Sequence, residues 1–145
     1  MESVSIREIQ VSYGRKRKVG FDAVSNPKDI VKFLEGIMPN NSQEHLFAIY
    51  FDSSHTPIGY SIVCTGLLTS CPIHPREIFQ RALLLGAYSV AIAHNHPSGN
   101  PQPSEADHTV TKQISEASKV LGIRFLDHIV FGDQGYYSFQ ECGLL

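Results

Sequence analysis

No stretch of the chain approaches the ~20 consecutive apolar residues needed to cross a bilayer. The N-terminal MESVSIREIQ also lacks the charged-then-apolar layout of a secretory signal. Cysteine is scarce: Cys64, Cys71 and Cys142 cannot pair completely, and none has a C-x-x-C or similar spacing. A disulfide scaffold is not needed to explain the chain, no cysteine has a metal-binding spacing, and a reducing, cytoplasmic compartment is the expectation. Bulk charge of either sign is missing too. A formal net charge of −2 rules out a surface that is all nucleic-acid footprint, while leaving room for a local basic patch. There is neither an internal repeat nor a low-complexity linker. What remains is 145 residues with a hydrophobic fraction of 42%, enough for one compact domain with a real core.

Val4 and Ile6 alternate, then Ile9, Val11 and Tyr13 alternate on the opposite phase, which predicts a strand bulged near Arg7 or Glu8. Beyond Gly14, the run Arg15-Lys16-Arg17-Lys18 precedes a short strand through Val19 and Phe21. Residues 1–25 thus read as an N-terminal β-hairpin extension with four cations at its tip. Such a tip is either a solvated device against edge-to-edge aggregation or a phosphate contact, and hence a route to a nucleic-acid partner.

Ser25 or Asn26 can cap a helix with Pro27 and Asp29 in its first turn and an apolar stripe at Ile30, Phe33, Leu34 and Ile37, ended by Pro39. Residues 44–51 are apolar on both phases, as an internal strand is, with Glu44 at its mouth. Residues 58–65 form its antiparallel partner. Pro75 opens a helix carrying Ile78, Phe79, Ala82, Leu83 and Leu85, closed by Gly86. Residues 88–93 form a buried strand that delivers His94. Ser104 starts the longest helix, where Val110, Ile114, Ala117 and Leu121 share a face up to Gly122. Strands over 123–131 and 136–139 flank a hairpin turn at Gly132-Asp133-Gln134-Gly135.

The chain is organised around residues 94–107, HNHPSGNPQPSEAD. In extended backbone, side chains at i and i+2 point to one side, with Cα atoms about 6.6 Å apart. His94 and His96 can therefore converge on one ion while Asn95 faces away. The Gly/Pro-rich loop doubles the chain back so that Asp107, in the first turn of the helix, supplies a third ligand. Three protein ligands leave one tetrahedral position for water, the pattern of catalytic zinc. Two imidazoles and one carboxylate leave a positive centre that lowers the pKa of bound water and polarises a carbonyl, which points to a hydrolase. Ser104 and Asp107 also fit an S-x-x-D capping box, which needs no metal; the two roles are compatible.

At these residues the chain resembles the JAMM (MPN+) metalloenzymes, whose signature is an upstream Glu followed by H-x-H-P-x-G-x-x-x-P-S-x-x-D. His94-Asn95-His96-Pro97-Ser98-Gly99, Pro103-Ser104 and Asp107 match it without a gap. More specifically, the chain is similar to bacterial RadC proteins through HNHPSGNPQPS, His74-Pro75-Arg76-Glu77-Ile78-Phe79 and Leu126-Asp127-His128-Ile129, over about residue 41 to the C-terminus. The resemblance implies an α/β fold of mixed α+β character, similar to cytidine deaminase, with a three-layer arrangement of a mixed sheet flanked by helices. It implies one such domain over 1–145 and Zn2+ held by His94, His96 and Asp107. Glu44 matches the upstream glutamate, a general base and then a general acid, and Ser104 matches the serine that donates a hydrogen bond to the tetrahedral intermediate. From its position alone, Glu44 is merely eligible.

The implied activity is a zinc-dependent hydrolase, a metallopeptidase or isopeptidase acting on a peptide or protein substrate, with no membrane partner. The alternative is a DNA-repair-associated or nucleic-acid-binding protein. RadC proteins commonly carry an N-terminal helix-hairpin-helix region, which the residues before Asn41 do not match. His74 reads either as a neighbour of the Pro75 helix cap or as a site residue, and Arg76 as an anchor or a substrate contact. Asp127 and His128, on opposite phases of one strand, are eligible to bond the metal ligands. His45, His55 and His108 read as surface or packing residues. A zinc deaminase would need H-x-E and P-C-x-x-C, and neither is present.

Overall fold

A computed structural model describes residues 4–10, 12, 14 and 23–145. In chain order the elements are α1 (Pro27–Glu35), β1 (His45–Phe51), β2 (Pro57–Thr65), a 3-10 turn (Leu68–Ser70), α2 (Pro75–Leu85), β3 (Ser89–Asn95), α3 (Glu105–Leu121), β4 (Arg124–Gly132) and β5 (Gly135–Ser138). The strands form one mixed sheet in the order β2-β1-β3-β4-β5. Every neighbouring pair is antiparallel except β3 and β4. A parallel pair needs a long crossover, and α3 is that crossover.

The side-chain alternation of β1 and β3 divides the core between two layers. Phe47, Ile49, Phe51, Ala91 and Ala93 pack with Ile30, Phe33 and Leu34 of α1. Leu46, Ala48, Tyr50, Val90 and Ile92 pack with Ile78, Phe79 and Ala82 of α2 and with Val110 and Ile114 of α3. Both strands are buried on both faces, so their sequences show no polar alternation. Fully burying side chains such as Phe47, Ile49 and Ile114 contributes roughly 1.5–3 kcal/mol each, which makes the centre of the sheet the rigid frame of the molecule.

Local signals set the helix boundaries. Asn26 accepts from the Asp29 amide while the Asp29 carboxylate accepts from the Asn26 amide, and Pro27 occupies the first turn where no donor is needed. His74 caps α2 by accepting from the Arg76 amide, and Gly86 ends it in the left-handed conformation. Tyr50 ties β1 to α2 by donating to the Ile78 carbonyl at 3.0 Å.

The expected strand over 4–13 is absent among the described residues. Residues 4–10 carry no secondary structure, and Val4, Ile6 and Ile9 are 82%, 90% and 88% exposed. Alternation makes a strand only where one face is buried against a partner. Arg15, Lys16, Arg17, Lys18 and the strand through Val19 and Phe21 lie outside the described residues. The cysteine reading also changes. Cys64, at the end of β2, is joined to Cys71 by a disulfide across the 3-10 turn, and Cys142 is an exposed thiol. Among the described residues, no helix is long and apolar enough to cross a membrane.

Candidate metal centre

The site forms where β3 ends and α3 begins. Val90 and Ile92 put the even positions of β3 on the α2/α3 face, so His94 and His96 follow them there. Asn95 points to the opposite face, as expected. Between His96 and α3 the chain loops over the β4–β5 turn and is clipped to it. The His96 amide donates to the Phe131 carbonyl at 2.8 Å, and the Gln134 amide donates to the Gly99 carbonyl at 3.0 Å. Gly99 has φ +87° and lies against Gly132, so both positions depend on glycine. Ser104 then caps α3, and Asp107 is its third residue.

Three side chains converge. His94 Nε2 lies 3.0 Å from His96 Nε2 and 3.1 Å from Asp107 Oδ1, and His96 Nε2 lies 3.7 Å from Asp107 Oδ2. For bonds of 2.0–2.1 Å, ligand atoms at two corners of a tetrahedron are about 3.3 Å apart. The arrangement therefore fits one divalent ion. Two further observations agree. Asp107 Oδ1 is buried with no aligned hydrogen-bond donor, although buried carboxylate oxygens are ordinarily satisfied. His96 Nδ1 lies 2.8 Å from the Asn100 carbonyl, which can only accept, so its proton sits on Nδ1 and the Nε2 lone pair faces the cluster.

Burial alone would raise the pKa of Asp107, but the His94 imidazole beside it at 3.1 Å, with the Ser104 amide donating to Oδ2 at 2.7 Å, holds it well below the ordinary carboxylate range. The carboxylate is therefore ionised and ready to bind a cation. Asp107 both completes the cap, through Oδ2, and offers Oδ1 to the site. The capping and ligand roles coexist in one side chain.

Glu44 is half-buried, one residue before β1. β1 pairs antiparallel with β3 with Leu46 opposite His94, and carrying that register two residues further sets Glu44 opposite His96. It shares parity with Leu46 and so the α2/α3 face. Ser104 is exposed; its Oγ accepts from the Asp107 amide at 3.2 Å, which uses a lone pair and leaves the hydroxyl proton free. His94 and Asp107 are 1% exposed and His96 is 14% exposed, so the cluster opens to solvent on the His96 side.

Several assignments differ from the sequence reading or sharpen it. His128, on β4, is fully buried with its Nε2 at 2.9 Å from His94 Nδ1 and its Nδ1 at 2.6 Å from the Thr111 hydroxyl. Burial, and then the neighbouring His94, push its pKa well below the usual histidine value, so it is neutral. His94, Asp107 and His128 also form a close group of donor atoms. His128 spends its nitrogens on His94 and Thr111, whereas His96 Nε2 lies 3.7 Å from Asp107 Oδ2, so each is a candidate third ligand beside His94 and Asp107. Asp127 does not reach the ligands; it accepts from the Ser138 hydroxyl at 2.5 Å and the Gln140 amide at 3.0 Å. His74 is a helix cap, and Arg76 is exposed with a weak 4.0 Å pair to Glu77.

Thr111 escaped sequence reasoning, although its i+4 spacing from Asp107 was a usable signal. So did the work of Asn95, whose buried amide accepts from the His45 amide at 2.8 Å and donates to Asn41 Oδ1 at 2.9 Å and the Gln43 carbonyl at 2.8 Å.

A family model described as a RadC-like JAB domain matches residues 24–144, so the likeness reaches α1, upstream of the motif-bearing segment. The chain is 36% identical to a UPF0758 protein of Pelodictyon phaeoclathratiforme, over 100% of the chain and 65% of that protein. It is 42% identical to a UPF0758 protein of Symbiobacterium thermophilum over 83% of the chain and 51% of the relative. It is 44% identical to one of Bacillus licheniformis over 82% and 53% respectively. The chain thus spans between 51% and 65% of the length of these relatives.

Proposed function

Because this chain belongs to the RadC-like JAB domain family, we propose that it is a zinc-dependent hydrolase, a metallopeptidase or isopeptidase acting on a peptide or protein. The observation that carries this reading is the convergence of His94 Nε2, His96 Nε2 and the Asp107 carboxylate, one of whose buried oxygens lacks a donor. An N, N, O set open to solvent on one side matches the ligands and vacant position of catalytic zinc. Zinc held there would acidify water and polarise the scissile carbonyl.

The remaining chemistry belongs to the chain. Glu44, opposite His96 on the same sheet face, takes the proton from the attacking water as the C–O bond forms, and returns it to the leaving nitrogen as the C–N bond breaks. The Ser104 hydroxyl, with its proton uncommitted, donates to the oxygen on which negative charge develops. His94 and Asp107 are buried and oriented by their neighbours, so the site needs little rearrangement before use.

The test has two stages. Zinc analysis of purified protein should give about one ion per chain by the three-ligand argument, and absence of zinc from protein with Asp107 intact would defeat the proposal. Digestion of a peptide library, with and without chelator, should then show metal-dependent cleavage. Glu44→Gln should retain zinc and lose cleavage.

A further inference from the structure

We propose that His128 and Thr111 are positioning residues that set the tautomer of His94. This inference rests on the metal reading above. Three contacts run in series from one ligand to the backbone of another: His94 Nδ1 to His128 Nε2 at 2.9 Å, His128 Nδ1 to Thr111 Oγ1 at 2.6 Å, and Thr111 Oγ1 to the Asp107 carbonyl at 2.7 Å. A carbonyl only accepts, so the Thr111 hydroxyl proton is directed to Asp107 and its oxygen is left to accept from His128 Nδ1–H. His128 Nε2 then carries the lone pair and accepts from His94 Nδ1–H. His94 Nε2 is left unprotonated and faces Asp107. This direction of donation satisfies each contact of the relay and leaves His94 Nε2 and Asp107 Oδ1 as two acceptors 3.1 Å apart, the form of His94 that binds a cation.

The reverse direction is the metal-free alternative. Thr111 would abandon the Asp107 carbonyl to donate to His128, which would donate to His94, which would place its own proton on Nε2 toward Asp107 Oδ1. The Asp107 carbonyl therefore tips the chain toward the binding form. Phe139 holds the ring in place, stacked on His128 with centroids 4.9 Å apart and planes 6° from parallel. Removing the Thr111 hydroxyl strands a buried His128 Nδ1–H, so His128 would move that proton to Nε2 and force His94 into the wrong tautomer. The relay also explains why a histidine on β4 and a threonine on α3 meet beneath a site whose ligands lie on β3 and α3.

The experiment measures zinc affinity by competition with a chromophoric chelator, alongside urea unfolding of each metal-free protein. His128→Leu should bind zinc 10–100-fold more weakly, the usual effect of losing a partner behind a metal-bound histidine. Thr111→Val, which keeps the shape, should weaken binding about tenfold, and Thr111→Ser should restore it. In ring 15N spectra of the zinc-loaded protein, His94 should show a protonated Nδ1 and a metal-bound Nε2. Thr111→Val carries the test if His128→Leu does not fold. Wild-type affinity in Thr111→Val, or metal bound to His128 while the His96 nitrogens are free, would overturn the relay and leave the hydrolase reading intact. Failure of the wild type to bind zinc would overturn both.

Discussion

Replacing Gly132 with alanine should disable the candidate metal centre without touching His94, His96 or Asp107. An added Cβ would lie 2.5 Å from the Gly99 carbonyl oxygen, 2.7 Å from its carbon and 2.9 Å from the Gly99 Cα. All three atoms are backbone, so no rotamer relieves the contact, and the loop must lift by at least half an ångström to reach even 3.0 Å. That loop carries the Gln134–Gly99 bond and runs on to Asn100, whose carbonyl fixes the His96 ring. Overpacking of this kind costs about 1–3 kcal/mol, or a Tm lower by roughly 3–10 °C for a domain of this size. Zinc affinity should fall by about tenfold or more, because His96 loses the partner that orients it. Gly122→Ala is the control. At φ +68° with nothing within 4 Å of its Cβ, it carries backbone strain alone, about 1–2 kcal/mol, and should leave zinc affinity unchanged. Calorimetry and chelator competition on the two variants separate the effects; equal zinc affinities would refute the reasoning.

Two other predictions concern groups away from the ligands. Burial raises the pKa of Asp127 despite its bonds from Ser138 and Gln140, and a raised carboxylate stabilises the fold only below its unfolded pKa, losing that contribution as pH rises through the folded value. Asp127→Asn should therefore gain Tm relative to wild type as pH rises from about 3 and then hold a constant advantage; a gap that shrinks with pH would contradict this. Nucleic-acid binding, if mediated by Arg15, Lys16, Arg17 and Lys18, should show a log–log salt slope of roughly −3 to −4 on duplex DNA and vanish when the four charges are reversed, whereas unchanged affinity in that variant would remove the run from consideration.

Much of the fold is legible because its signals are local. The stripe of Ile30, Phe33 and Leu34, the caps at Asn26 and Ser104, and the doubly apolar β1 and β3 each declare themselves within a few residues. The cluster of His94, His96 and Asp107 is legible for the same reason, since the three fall within one strand–loop–helix unit. What sequence could not convey is who stands beside whom. His128 reaches His94 only because β4 lies parallel to β3, and Glu44 falls at the His96 end of β3 only because β1 pairs with the other edge of that strand. The strand expected over 4–13 failed for the opposite reason, a local pattern without a buried partner among the described residues.

Asn95 shows how the period of a strand divides labour among three consecutive residues. The two histidines take the α2/α3 face and the candidate cation site, which leaves Asn95 facing the α1 layer, where an amide would normally be a liability. It is fully buried, yet its oxygen and nitrogen make bonds of 2.8–2.9 Å to Asn41, Gln43 and His45. Those partners bracket Glu44 on both sides. A hydrophobic residue would fill the space but release the segment that carries the proposed base. An aspartate would turn the donor toward the Gln43 carbonyl into a second acceptor and repel it. The histidines and the glutamate, fifty residues apart in sequence, are thus held in one register by the residue between the histidines. The H-x-H pattern in this chain is a three-residue device, with its middle position serving the opposite strand.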